Sequence, residues 1–143
     1  MFEALIEFIE DSVFGLVNRI MSEEKDSQSR CEKLVTLLLG FAEKNPGMTR
    51  LLMGDALTNE HERLRERIAQ FFDRLEMQFK QILREGRMQG LSRSDKEIQA
   101  HSRLLLAVVE GHMHQFLRSG FKRSPLESWP EQWQQLQVSL FTC

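Results

Sequence analysis

Tyrosine is absent from the 143 residues, and only two cysteines and three prolines occur. Cys31 and Cys143 have no metal-type neighbour such as C-x-x-C, which excludes a disulfide framework as an organising principle. Long hydrophobic runs are missing as well. The longest, Leu34 to Ala42, is about half of what a membrane-spanning helix needs, and Met1-Phe2-Glu3 lacks the basic start of a secretory signal. A reduced, cytoplasmic protein is expected. Neither sign of charge dominates: 19 Lys and Arg stand against 21 Asp and Glu. The basic footprint of a nucleic-acid-binding module is therefore lacking, and these residues alone are expected to bind DNA poorly. A hydrophobic content of 41% suits one domain with a modest core.

Catalytic patterns are lacking too. There is no G-x-S-x-G, no phosphate-cradling glycine loop, and no nucleophile beside a base and an orienting acid. His61-Glu62 opens like a zinc-protease H-E-x-x-H, but Arg65 stands where the second histidine belongs. His112 and His114, two apart on a helix, point to opposite sides, and His101 and His112 share a face three turns apart. No enzyme, metal site or cofactor is expected.

What is present is helix. Val, Ile and Thr are sparse while Leu, Glu, Gln and Arg abound. Leu5, Ile6, Ile9, Val13, Leu16, Val17 and Ile20 fall on one face of a helix over 2–21. It opens at Met1 with no capping residue, so an upstream partner is expected. A second helix follows Asp26-Ser27 and stops at Lys44-Asn45-Pro46-Gly47, with Asn45 expected to cap a short third one from Met48 to about Met53. A long amphipathic helix is expected from about Asn59 to Arg84, with Glu76 and Lys80 at the favourable i, i+4 spacing. Gly86 to Arg93, with Gly90 and Ser92, reads as a loop closed by the capping box Ser94-Asp95-Lys96-Glu97. The fifth helix then runs to about Ser119 and a sixth spans roughly Ser128 to Leu140. The fold expected is all-α, a bundle of about six helices.

The apolar arc of the fifth helix is wide. Leu105, Val109 and Phe116 share one face with Ile98, while Leu106, Met113 and Leu117 occupy the next. An arc that wide must be covered both by its own subunit and by something else. Trp133, Leu136 and Leu140 of the sixth helix offer the second element, so an isologous four-helix homodimer through the last two long helices is expected.

Off the core stripes, Leu37, Gly40 and Lys44 share a flank of the second helix, and Phe8 lies similarly off the stripe of the first, on the flank of Ser12. An apolar pair beside a glycine, with Lys33 and Lys44 at the rim, makes a peptide groove. The alternative is that neighbouring helices cover these side chains. Spacing leaves both open.

The strings Met1-Phe2-Glu3-Ala4-Leu5-Ile6-Glu7-Phe8-Ile9-Glu10-Asp11-Ser12 and Leu37-Leu38-Leu39-Gly40-Phe41-Ala42-Glu43-Lys44-Asn45-Pro46-Gly47-Met48-Thr49-Arg50 resemble the regulatory domain of the TetR-family nucleoid occlusion factors. Glu62-Arg63-Leu64, Arg67-Ile68, Gln81-Ile82-Leu83-Arg84-Glu85 and Phe116-Leu117-Arg118-Ser119-Gly120-Phe121-Lys122 continue the resemblance in order. It covers the chain to about Lys122. It implies a TetR-type helical bundle whose DNA-binding helix-turn-helix would precede Met1 and is missing here. It also implies a dimer and antagonism of the tubulin-like division GTPase FtsZ, whose C-terminal tail peptide is the ligand, so that septation over the chromosome is inhibited. Phe8, Leu37, Gly40 and Asn45 match partner-contact positions, Lys44 keeps the charge of an arginine, and Leu16 departs from one. The alternative is a generic TetR-type repressor whose bundle encloses a small apolar effector, which would need an apolar pocket of a few hundred Å³.

Overall fold

The computed structural model describes residues 2–54, 62–88 and 93–141. Among these it contains six helices, α1 (Phe2–Glu23), α2 (Ser27–Lys44), α3 (Pro46–Leu52), α4 (Glu62–Met88), α5 (Asp95–Arg118) and α6 (Trp129–Phe141). The expected start of α4 at Asn59, the sites His61, Gly90 and Ser92, and Cys143 lie outside the described residues.

Local chemistry sets most boundaries. Asp26 caps α2, its carboxylate accepting the Ser29 N–H at 3.0 Å. The capping box of α5 is complete: Ser94 Oγ accepts from the Glu97 N–H at 3.1 Å, and Glu97 Oε1 accepts from the Ser94 N–H at 3.2 Å. These bonds hold the Glu97 carboxyl below the usual glutamate range. At the other end of α5, Gly120 adopts φ +68°. The Phe121 N–H returns to the Phe116 carbonyl at 2.9 Å and the Gly120 N–H to that of Leu117 at 3.0 Å, with the Phe116 and Phe121 rings 5.1 Å apart. This is a Schellman closure with its hydrophobic contact. The Glu76–Lys80 pair forms at 3.4 Å.

Two boundaries depart from expectation. Asn45 does not cap α3 with its side chain; its Nδ2 donates instead to the Phe41 carbonyl at 2.8 Å, closing the end of α2. Either orphan set was within reach, and Pro46 at the start of α3 already removes one N–H that would need a partner. Helix α4 runs on through Gly86 to Met88 rather than ending near Arg84. A glycine costs a helix roughly 1 kcal/mol. The ion pair of buried Arg30 with Glu85, the residue before Gly86, ties this last stretch to α2.

Helices α4 and α5 form the central pair, α2 lies across both, α1 covers α2 and α4, and α3 and α6 close the sides. Phe71, Leu75, Phe79, Ile82 and Leu83 of α4 meet Leu105 and Val109 of α5 and Leu34, Val35 and Leu39 of α2 in one packed core. Phe14 of α1 packs edge-on against Phe71 with ring centroids 5.7 Å apart, and the Arg74 guanidinium lies over the Phe14 ring, 3.8 Å from its centroid.

Candidate functional site

On the flank of α2 that faces α1 runs an open groove of about 290 Å³. Leu37, Gly40, Lys44 and Asn45 all border it, and Leu16, Thr36 and Phe41 complete its walls. Four residues of the expected surface are thus brought together. The fifth is not. Phe8 is 54% exposed but does not line the groove; it stands eight residues, roughly 12 Å, along α1 from Leu16. A shared flank fixes the direction a side chain faces and leaves its level along the helix pair undetermined. Lys33, expected at the rim, is drawn away to Glu24, 2.6 Å from its ammonium.

Gly40 decides between covered and open. A Cβ built there would meet nothing within 4 Å, and its φ is not in the left-handed region. Nothing inside the chain requires a glycine, although one in mid-helix costs about 0.5–1 kcal/mol relative to alanine. The open side of Gly40 suits close approach by a partner backbone. Among the described residues no carboxylate pairs with Lys44, so the groove offers an apolar floor with one uncompensated cation.

A second surface lies on the outer side of α5. The residues expected to form a dimer interface are mostly inside the chain. Leu105, Leu106, Val109, Met113, Phe116 and Trp133 are buried in its own core, and Leu117 and Leu136 are half-buried. Helices α2, α3 and α4 together cover the wide arc of α5, so no second subunit is needed there. Instead Leu104 (42% exposed), Val108, Gly111 and Gln115 line the outward side at i, i+4, i+7 and i+11. With Gln132, Gln135 and Leu136 of α6, Val108, Gly111 and Gln115 border a cleft of about 360 Å³. Gly111, too, has open space where a side chain would stand. His101 precedes Leu104 on the same side, with no partner for its buried Nδ1. Its 3-4-3-4 spacing with Leu104, Val108, Gly111 and Gln115 was the available signal; the bulkier inner stripe masked it.

His112 is not a ligand in waiting. Its Nδ1 donates to the Pro125 carbonyl at 2.7 Å, and its Nε2 meets the Gln132 side-chain amide at 2.6 Å. The buried ring ties α5 to the connection that follows it and to α6. Among the described residues no three metal-binding side chains cluster, and no helix is long and apolar enough to cross a membrane.

Residues 25–140, which take in α2 to α5 and α6 up to its last residue but one, match the profile of the SlmA-like family described as "Tetracyclin repressor-like, C-terminal domain". The chain belongs to the SlmA-like C-terminal domain family. Similar relatives include proteins named nucleoid occlusion factor SlmA from Marinomonas sp. (strain MWYL1), 51% identical over 140 residues that make up 98% of this chain and 71% of that one. Those of Alteromonas mediterranea, 49% identical over 93% of this chain and 68% of that one, and Shewanella pealeana, 50% identical over 98% and 71%, carry the same name. At this level of identity over nearly the whole chain, the similarity supports the nucleoid occlusion reading over a generic effector-sensing repressor. The SlmA-like region contains both the α2 wall of the groove and the α5–α6 cleft.

Proposed function

We propose that residues 1–143 act as one regulatory and dimerisation domain of a nucleoid occlusion factor. The domain takes the C-terminal tail peptide of FtsZ in the α1–α2 groove and so antagonises ring assembly over the chromosome. The role is binding rather than catalysis, in the cytoplasm at the nucleoid. DNA recognition is not the work of these residues, whose net charge is −2. The observation that carries the reading is the groove itself, where Leu37, Gly40, Lys44 and Asn45 meet around an open glycine. The names of the relatives support it.

The domain works as a homodimer. The α5–α6 cleft, with Gly111 allowing close approach and Leu104 and Val108 flanking it, supports an isologous four-helix pairing. Anisotropy of a labelled FtsZ tail peptide tests the groove: Gly40→Asp is expected to weaken binding at least about tenfold while leaving dimer mass and helical content intact. Unchanged affinity in a folded Gly40→Asp dimer refutes it. For the dimer, Val108→Asp is expected to give a folded monomer in sedimentation, whereas a persistent dimer moves the interface elsewhere.

A further inference from the structure

Helix α2 carries a cleft on each flank, and the two meet. On the side facing α6, a cleft of about 350 Å³ is bordered by Glu32, Trp129, Pro130, Trp133 and Gln134. Thr36 borders this cleft and the α1-side groove alike. Between them α2 presents Thr36 and, one turn on, Gly40, two small residues that form a low crest. The crest makes little polar demand. Thr36 Oγ1 donates to the Glu32 carbonyl at 2.8 Å and accepts from the Trp129 indole N–H at 2.9 Å, so an apolar segment crossing it strands no hydroxyl.

The ends of this path differ in charge. Lys44 stands at one and Glu32 at the other, both exposed and neither in an ion pair among the described residues. Twelve helical residues separate them, roughly 18 Å, which an extended chain covers in about five or six residues at about 3.3 Å each.

We infer that the partner site is bipartite: an extended peptide lies in the α1-side groove, crosses α2 over Gly40 and Thr36, and ends in the tryptophan-lined cleft against α6. Its chemistry is an acidic side chain at the Lys44 end, apolar or aromatic side chains in the middle, and a basic side chain at the Glu32 end. The inference rests on the groove reading above and extends it. Charge complementarity at the two ends and continuity through Thr36 carry it.

The test uses the labelled FtsZ tail peptide and the full chain, with Lys44→Glu, Glu32→Lys, Glu32→Gln and Gln134→Trp, all at exposed positions. Lys44→Glu and Glu32→Lys are each expected to weaken binding about three- to tenfold at low salt, with most of the difference lost at high salt. Glu32→Gln should weaken it about two- to threefold, so that loss of attraction and added repulsion are separated. Gln134→Trp, which fills the α6-side cleft, should weaken it about tenfold without salt dependence. Circular dichroism and sedimentation confirm that each variant remains a folded dimer. If Lys44→Glu weakens binding but the Glu32 and Gln134 variants do not, or if Glu32→Lys strengthens it, the extension is overturned and the groove stands. If no variant changes affinity, both readings fall.

Discussion

Replacing Gly40 by alanine separates what the fold needs from what the partner needs. Gly40 lies in the body of α2 with nothing within 4 Å of where a Cβ would stand and without a left-handed φ. The added methyl therefore clashes with nothing and removes backbone freedom from the unfolded chain. Helix propensity puts the gain at about 0.5–1 kcal/mol, which for a chain of this size raises the melting temperature by about 2–4 °C. The same methyl stands where a partner backbone would approach, and affinity for the FtsZ tail peptide should fall several-fold. Gly15→Ala is the control. Gly15 also has open space around it and borders neither cleft, so that variant should gain stability and keep its affinity. The assay is a thermal melt followed by anisotropy on the same three proteins. A lower melting temperature for Gly40→Ala would show that Gly40 packs against something inside the molecule. A higher one with unchanged affinity would show that nothing approaches it from outside.

Arg30→Met should cost about 2–4 kcal/mol in denaturant unfolding, because the buried guanidinium donates to the Glu24 and Met21 carbonyls and pairs with Glu85. A loss below about 0.5 kcal/mol would contradict that. The imidazole of His101 is held below its ordinary value of 6.5, mainly by burial and then by the charge of Arg93. Protonation thus favours the unfolded state: the His101 contribution is full above about 6.5 and is lost as pH falls from there through the lower folded value. His101→Gln should flatten the pH dependence of the melting temperature between pH 7 and 5, and an unaltered slope removes the effect. Burial pushes the Cys31 thiol up to about 12. In a Cys143→Ser variant, alkylation at pH 8 should be negligible over hours, the thiolate being about one part in ten thousand, and should become complete on unfolding. Ready labelling of the native protein would mean that α2 opens locally.

The helices and their ends were legible because the signals are local. Asp26, Pro46 and the Ser94–Glu97 box each act within a few residues, and the apolar periodicity of α1, α2 and α4 leaves one choice of inner face. Helix α5 offered two arcs, and bulk pointed to the inner one. Its outer arc is built from small or modest side chains, Ala100, Ala107 and Gly111 around Leu104 and Val108, and its role depends on packing that no single-helix projection contains. The groove was half legible for a related reason. The flank of Leu37, Gly40 and Lys44 follows from spacing within one helix, whereas the level of Phe8 depends on how α1 lies along α2. Asn45 closes α2 through one local bond, to the Phe41 carbonyl, in place of another that spacing allowed equally, whereas the overrun of α4 through Gly86 accompanies a tertiary ion pair, Arg30 with Glu85.

The two ends of α1 are held by forces of different kind. At its C-terminal end, Arg30 grips the Met21 carbonyl and the Glu24 carbonyl just beyond the helix, in a buried setting that salt barely reaches. Towards its N-terminal end the polar ties to α4 are Arg67 to Glu10 at 2.8 Å and the looser, exposed Arg63 to Glu3 at 3.6 Å. The Glu10 hydrogen bond raises the Arg67 guanidinium still further above its ordinary range. Ionic strength weakens the outer ties, most of all the exposed one, and spares the inner grip. Helix α1 is thus a lever with a fixed fulcrum and a salt-tunable tip, and Leu16 of the groove wall lies about midway between Met21 and Glu10. Hydrogen exchange at rising salt should quicken at residues 3–10 first, and the groove wall should hold its shape while the tip loosens.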